Sequence, residues 1–170
     1  MSDPVVRLLE DADVPGAAAA LVEVHATDGY PVEGVAQPEA WIRPAGVVRA
    51  WVAEVDQQIV GHVAITKPEG ERAVSLWQQQ TGESEDSIAV LARLFVVRSV
   101  RKQAVGEGLM RAAMDYAKAH DFHLVLDVLT KDASAIRLYE RLGWRFIGDA
   151  SHRFGADEQA PAKCYVWPAS

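Results

Sequence analysis

Residues 94–109 read Leu94-Phe95-Val96-Val97-Arg98-Ser99-Val100-Arg101-Lys102-Gln103-Ala104-Val105-Gly106-Glu107-Gly108-Leu109. An apolar β-type run ends, a short basic turn of small residues follows, and a helix opens at the glycines. The first N–H groups of a helix have no intrahelical acceptor and carry partial positive charge. Such a turn is suited to an anion, above all a phosphate or pyrophosphate. Small residues let a ligand approach the backbone, and Arg101 and Lys102 add charge at the rim. Taken alone, the segment is explained equally well as a strand–helix turn with a packing glycine. No G-x-G-x-x-G follows an N-terminal strand and no P-loop is present, so a Rossmann or P-loop nucleotide site fits poorly.

Outward from this segment, the pattern alternates. Leu109, Ala113, Tyr116 and Ala117 share one face of a helix running to about residue 120. Residues 124–129 form a second apolar strand. Asp132 is placed to cap a helix whose inner face carries Ile136, Tyr139 and Leu142, with Gly143 as its stop. Residues 144–147 and 162–167 read as two closing strands. On the other side, 88–97 is the longest β-like run, interrupted by Arg93, and reads as a central strand. Residues 48–55 and 59–65 form a hairpin around Asp56-Gln57-Gln58. A short helix over 73–80 is ended by Gly82. Residues 5–8 are a strand, and Asp11, Asp13 and Pro15 start a helix to about His25. Residues 26–44 form a long loop with at most a short helix at 39–42. The order is that of a mixed three-layer α/β domain, and no boundary divides residues 1–170.

The chain has 170 residues and a net charge of −7. Its size lets roughly two thirds of the unfolded surface be buried. An acidic balance argues against general nucleic-acid binding, which depends on neutralising phosphates. The single cysteine, Cys164, excludes an intramolecular disulfide and a cysteine-based zinc site. No apolar run of about 18 residues and no signal-peptide pattern occurs. The expectation is a cytoplasmic protein with no metal and no membrane or nucleic-acid partner.

The segment Arg101-Lys102-Gln103-Ala104-Val105-Gly106, following Leu94-Phe95-Val96, resembles the acetyl-CoA motif R/Q-x-x-G-x-G/A of the Gcn5-related N-acetyltransferases (GNAT). The run Asp132-Ala133-Ser134-Ala135-Ile136-Arg137-Leu138-Tyr139-Glu140-Arg141-Leu142-Gly143-Trp144 resembles the family's N-x-x-A-x-x-L-Y-x-x-x-G-F element. Two motifs in order, separated by one helix and one strand, are far more specific than either alone. The clear match covers 88–148. The resemblance implies the GNAT fold: a mixed central sheet of about six or seven strands flanked by about four helices, α/β/α. It implies transfer of acetyl from acetyl-CoA to an amine by direct attack in a ternary complex. The backbone of Leu94, Phe95 and Val96 would pair with the pantetheine arm. Amides of Lys102, Gln103, Ala104, Val105, Gly106 and Glu107 would cradle the pyrophosphate, with Arg101 beside them. Asp132 and Ser134 lie where the family contacts the cofactor, and Tyr139 matches the tyrosine that protonates the departing thiolate. Without the motif, Tyr139 reads as a core residue.

The chain departs from the family at three places. Ala104 replaces the first loop glycine, tolerable at negative φ and costly at positive φ. Glu107 adds an acid at the helix start, and Asp132 replaces the frequent Asn. The strand stretch 88–93 also lacks the family's usual basic glutamate. Alternatives are Glu33, Glu54, Glu85, Asp86, Asp127 and His62, of which His62 reads mainly as a satisfied strand histidine. The acceptor site is expected in the N-terminal part, with Tyr30 and Glu33 as its residues. Trp41, Trp51 and Trp77 lie in the same half, Trp51 reading as core.

Three functions compete: an active N-acetyltransferase on a small, peptide or protein amine, a non-catalytic CoA-binding regulatory domain, and a nucleotide-binding module without CoA specificity, which leaves the tyrosine element unexplained. A homodimer is compatible with the family, though no diagnostic interface is visible. Charge divides along the chain: residues 93–145 hold ten Lys and Arg against six Asp and Glu, whereas residues 1–92 hold five against fifteen. A basic half faces a polyanionic cofactor in this reading, and an acidic half suits a cationic amine.

Overall fold

The alternating signals resolve, in a computed structural model that describes residues 3–31, 34–154 and 158–168, into seven strands and five α-helices. In order they are β1 (Val5–Leu8), α1 (Val14–Asp28), α2 (Pro38–Ile42), β2 (Val47–Val55), β3 (Gln58–Thr66) and α3 (Arg72–Thr81). There follow β4 (Ile88–Val96), α4 (Val105–Ala119), β5 (His123–Leu129), α5 (Ala133–Arg141), β6 (Arg145–Phe154) and β7 (Glu158–Trp167). The sheet order is β1-β2-β3-β4-β5-β7-β6. This is the mixed α/β architecture expected from the pattern. The chain gathers into two compact units: Met1–Thr66 with Ala92–Ala113, and Lys67–Leu91 with Met114–Ser170.

In the first unit, β2 and β3 form an antiparallel hairpin from Val55↔Gln58 to Val47↔Thr66. Both turn residues, Asp56 and Gln57, are left-handed, at φ 49° and 67°. That is the signature of a type I′ turn, whose twist matches the strands. Strand β1 pairs antiparallel with β2, Val5↔Glu54 through Leu8↔Trp51. Arg7 ties this edge together: it donates to Asp13 at 2.7 and 2.9 Å and to Glu54 at 2.7 Å. The same hydrogen bonds hold the Asp13 carboxyl below its ordinary range. Glu54 is therefore committed to a structural ion triad.

Strands β2 and β3 are buried nearly continuously from Ala50 to Ala53 and from Val60 to Ile65. Unbroken burial means both faces are covered. Gly61 shows how closely. A Cβ there would lie 3.0 Å from Leu109 Cδ1, 3.1 Å from the Phe95 carbonyl and 3.3 Å from Val105 Cγ1. Helix α4 can settle onto β3 because position 61 has no side chain. Helix α1 reaches three residues beyond the expected end and stops at Gly29, left-handed at φ 72°, whose N–H returns to His25 O.

In the second unit, β4 pairs parallel with β5 over Ile88↔His123 to Val90↔Val125. Strand β7 is antiparallel to β5, Leu124↔Trp167 through Leu129↔Ala162. Strands β6 and β7 are longer than expected, ten residues each. Their extensions pair with one another through Phe154↔Glu158. Backbone hydrogen bonding suffices for such a hairpin, so its polar residues show no apolar alternation. Helix α3 ends at Gly82, φ 72°, as its sequence indicates. Trp77 is buried in this unit, its Nε1 donating to Glu83 at 3.0 Å.

Candidate functional site

Strand β4 ends in a 3-10 turn, Arg98–Gln103, followed by Ala104 and the first turn of α4. Ala104 is left-handed, φ 58° and ψ 28°. This settles the sequence's conditional on the strained side: the alanine occupies a conformation that glycine adopts freely. Gly108 N–H bonds to Ala104 O at 3.1 Å. The amides of Val105, Gly106 and Glu107 thus lie in the helix's first turn, where no intrahelical acceptor exists. Glu107 pairs with Arg111 one turn on, at 3.1 Å. The backbone of Lys102 and Gln103 belongs to the 3-10 turn.

Arg101 does more than line a rim. Its Nε and Nη2 donate to Val96 O at 3.1 and 2.9 Å, and Nη2 also meets Asp28 Oδ2. Arg98 donates to the other Asp28 oxygen at 2.8 Å and to Thr27 O at 3.3 Å. The last residue of α1 therefore clasps both arginines of the turn. Burial alone would raise the Asp28 carboxyl, but the hydrogen bond and charge of Arg101 outweigh it, with help from Thr27 and Arg98. No local signal in the sequence pairs Asp28 with residues 70 and 73 positions later.

Beside the turn, four rings meet in the same unit. Phe95 is buried and stacks on His62 at 5.5 Å between centroids. Trp41 lies 6.0 Å from Phe95, and Tyr30 meets Trp41 edge-on at 5.8 Å. The Arg93 guanidinium sits 4.6 Å from the Trp41 ring centroid and donates to Trp41 O at 3.0 Å. Arg93 is left-handed, φ 61°, within β4, the local geometry of a bulge. His62 Nδ1 lies 2.8 Å from Arg93 O. A carbonyl only accepts, so Nδ1 carries the proton and Nε2 the lone pair. Nε2 is buried without a hydrogen-bond partner among the described residues. Burial pushes the His62 pKa down to about 4, so the ring is neutral at pH 7. Of the two expected acceptor residues, Tyr30 joins this cluster; Glu33 lies outside the described residues. Trp51 is buried in β2, as expected of a core residue.

In the second unit, Asp132 occupies the N-cap of α5, but its side chain makes no capping hydrogen bond to the helix. Ser134 is exposed and accepts from Arg137 at 3.3 Å. Tyr139 is buried, with Trp144 and Tyr165 at 6.1 and 6.4 Å between centroids. Burial raises its phenol pKa well above the ordinary value, and Asp132 and Asp127 push in the same direction. The hydroxyl therefore keeps its proton at neutral pH. Among the remaining acids considered as bases, Glu85 and Asp86 lie in a 3-10 turn before β4 and Asp127 lies on β5. Among the described residues no cluster of His, Cys, Asp and Glu could hold a metal ion, and no helix is long and apolar enough to cross a membrane.

The sequence profile of the acetyltransferase (GNAT) family matches residues 17–144. The chain belongs to this family. The GNAT match spans both motifs of the sequence, from the β4 segment through Tyr139. The probable N-acetyltransferase camello of Xenopus laevis is 32% identical over 96 residues, which cover 56% of this chain and 37% of that protein. N-alpha-acetyltransferase 60 of Xenopus tropicalis is 28% identical over 152 residues, 82% of this chain and 59% of that protein. The chain thus spans little more than a third of the length of camello. The crystal structure of Arabidopsis thaliana NAA60 in complex with acetyl-CoA superposes with a TM-score of 0.72, at 16% identity, over 96% of this chain and 97% of that one. The GNAT fold is shared across nearly the whole chain despite this low identity.

Proposed function

We propose that the protein is an acetyl-CoA-dependent N-acetyltransferase. The observation that carries this reading is the β4 end: a strand run, a basic 3-10 turn, left-handed Ala104 and the open first turn of α4, in the segment that matches the family motif. The amides of Lys102 to Glu107 receive the pyrophosphate, and the backbone of Leu94, Phe95 and Val96 receives the pantetheine arm. Arg101, held by Asp28, orders the turn as well as adding charge. Asp132 and Ser134 add cofactor contacts. That relatives are named N-acetyltransferases, and that NAA60 was crystallised with acetyl-CoA, supports the cosubstrate.

In the reaction, the neutral amine attacks the thioester carbon. A C–N bond forms, the C–S bond breaks, and the thiolate takes a proton from Tyr139, which regains one from solvent once the thiol has left. The phenol carries its proton at neutral pH, and the charge developing on the sulfur draws it off. The amine's own proton leaves to solvent or to an acid of the acceptor side. Tyr30 stands for that side, in the acidic part of the chain, together with Glu33 of the sequence reading, which lies outside the described residues; no metal takes part. The composition and the lone buried cysteine fit a cytoplasmic protein.

Thermal shift tests the cosubstrate. Acetyl-CoA at about 100 Kd adds about 2.7 kcal/mol, roughly 5–11 °C for a chain of this size. No shift at millimolar acetyl-CoA or CoA overturns the reading. Release of free thiol across a panel of amines then tests catalysis. A shift without amine-dependent release favours the regulatory CoA-binding domain, which the absence of a carboxylate from residues 88–93 keeps in contention.

A further inference from the structure

Arg93 is not used by any step above, yet it is held more tightly than a surface arginine. Its backbone is left-handed, which costs a bulky residue about 1–2 kcal/mol. Its carbonyl accepts from buried His62. One face of its guanidinium lies on the Trp41 ring, and Nη1 donates to Trp41 O. The planar fork is therefore fixed in orientation, and half-buried.

Among the described residues the fork has no acid. Arg7 lies between Asp13 and Glu54, Arg98 and Arg101 share Asp28, Arg43 meets Asp11, and Arg111 meets Glu107. Among the described residues no carboxylate lies within ion-pair distance of Arg93, and its Nε and Nη2 make no hydrogen bond to protein. A guanidinium with one corner tied and one edge open presents the paired N–H groups that grip a carboxylate in two parallel bonds. Trp41, from helix α2, lies under it, and Tyr30 packs edge-on against that Trp41 ring.

We propose that Arg93 binds a carboxylate of the acceptor, so that the acceptor is an amine bearing an acidic group close by, of the amino-acid class. The inference rests on the acetyltransferase reading and deepens it. An amino acid also fits the division of charge along the chain, since its ammonium suits the acidic residues 1–92 and its carboxylate suits Arg93, the first residue of the basic part. Arg93 is a specificity residue in this scheme: it binds the acceptor away from the reacting nitrogen.

The test uses matched pairs, each an amino acid and its decarboxylated amine: phenylalanine and phenethylamine, leucine and isopentylamine, histidine and histamine. Thiol release is measured for wild type, Arg93→Asn and Arg93→Lys, with melting temperatures as a check on folding. Asparagine tolerates the left-handed backbone, so Arg93→Asn removes the fork without adding strain. In wild type the acid member of at least one pair is expected to have the higher kcat/KM, by about tenfold to a hundredfold, the worth of one charge-assisted pair. Arg93→Asn brings that ratio close to one by raising KM for the acid, and Arg93→Lys restores it in part. Equal or better use of the decarboxylated amines by wild type overturns the proposal, as does a ratio unchanged in Arg93→Asn. A silent panel with an intact acetyl-CoA thermal shift overturns it too, whereas a silent panel with no shift overturns the acetyltransferase reading beneath it.

Discussion

His62 Nδ1 stands 2.8 Å from the carbonyl oxygen of Arg93, a strand residue held at φ 61°. The bond fixes the tautomer of a fully buried imidazole and pins the kink of β4. Burial favours the neutral ring and lowers the pKa from 6.5 to about 4. Between these values the unfolded chain binds the extra proton and the folded chain does not. Stability from this group is therefore complete above pH 6.5 and is lost as pH falls toward 4, by about 3 kcal/mol in all. Urea midpoints of wild type and His62→Gln, taken at pH 7.5 and pH 5, are expected to converge at the lower pH. A constant gap between the two proteins would mean that His62 does not titrate in this way.

Ala104 sits where glycine has the advantage. Relief of the left-handed strain in Ala104→Gly outweighs the added freedom of the unfolded chain, and the variant is expected to gain about 1 kcal/mol. That corresponds to roughly 2–4 °C in Tm. A lower Tm would argue against a left-handed residue 104.

Gly61 is a packing glycine, opposite Leu109, Val105 and the Phe95 carbonyl. The added methyl of Gly61→Ala meets backbone on one side, and backbone moves little. A loss of about 1–3 kcal/mol is expected from overpacking, readable as a shifted denaturant midpoint at unchanged slope.

Asp28→Ala frees Arg98 and Arg101 together. The arginines are largely exposed, so the stability cost is modest, about 1 kcal/mol. The larger effect is expected on acetyl-CoA, whose KM rises because the turn at 98–103 loses its tie to α1. If KM instead falls, the two arginines bind the cosubstrate better when released, and the ordering role is wrong.

Tyr139→Phe removes one oxygen from a buried side chain. As the proton donor to the thiolate, Tyr139 acts in the transition state, so kcat is expected to fall about 10²-fold or more while KM for acetyl-CoA changes little. Unchanged turnover would leave Tyr139 as an aromatic of the core beside Trp144 and Tyr165.

Much of the fold is legible in local patterns. The stop at Gly82, the hairpin around Asp56 and Gln57, and the helix following the turn at 98–103 each follow from residues within a few positions of one another. The extensions of β6 and β7 were not legible, because their polar residues are joined by backbone bonds that any side chain allows. Of the candidate site, the motif segment and Tyr139 stand out in sequence. Arg93 stands out only as a break in an apolar run, and nothing near it in the chain points to Trp41.

The sequence alone determined the strand–helix order, the family motifs and the division of charge, since these depend on neighbours in the chain. Only the tertiary structure decided that Ala104 and Arg93 are left-handed, that Asp28 clasps two arginines, and that His62 is a neutral buried donor. Each depends on groups brought together from separate elements, where burial and hydrogen bonding set a residue's conformation and charge. Residue type limits what a side chain can do; the surroundings assembled by folding select which of those things it does.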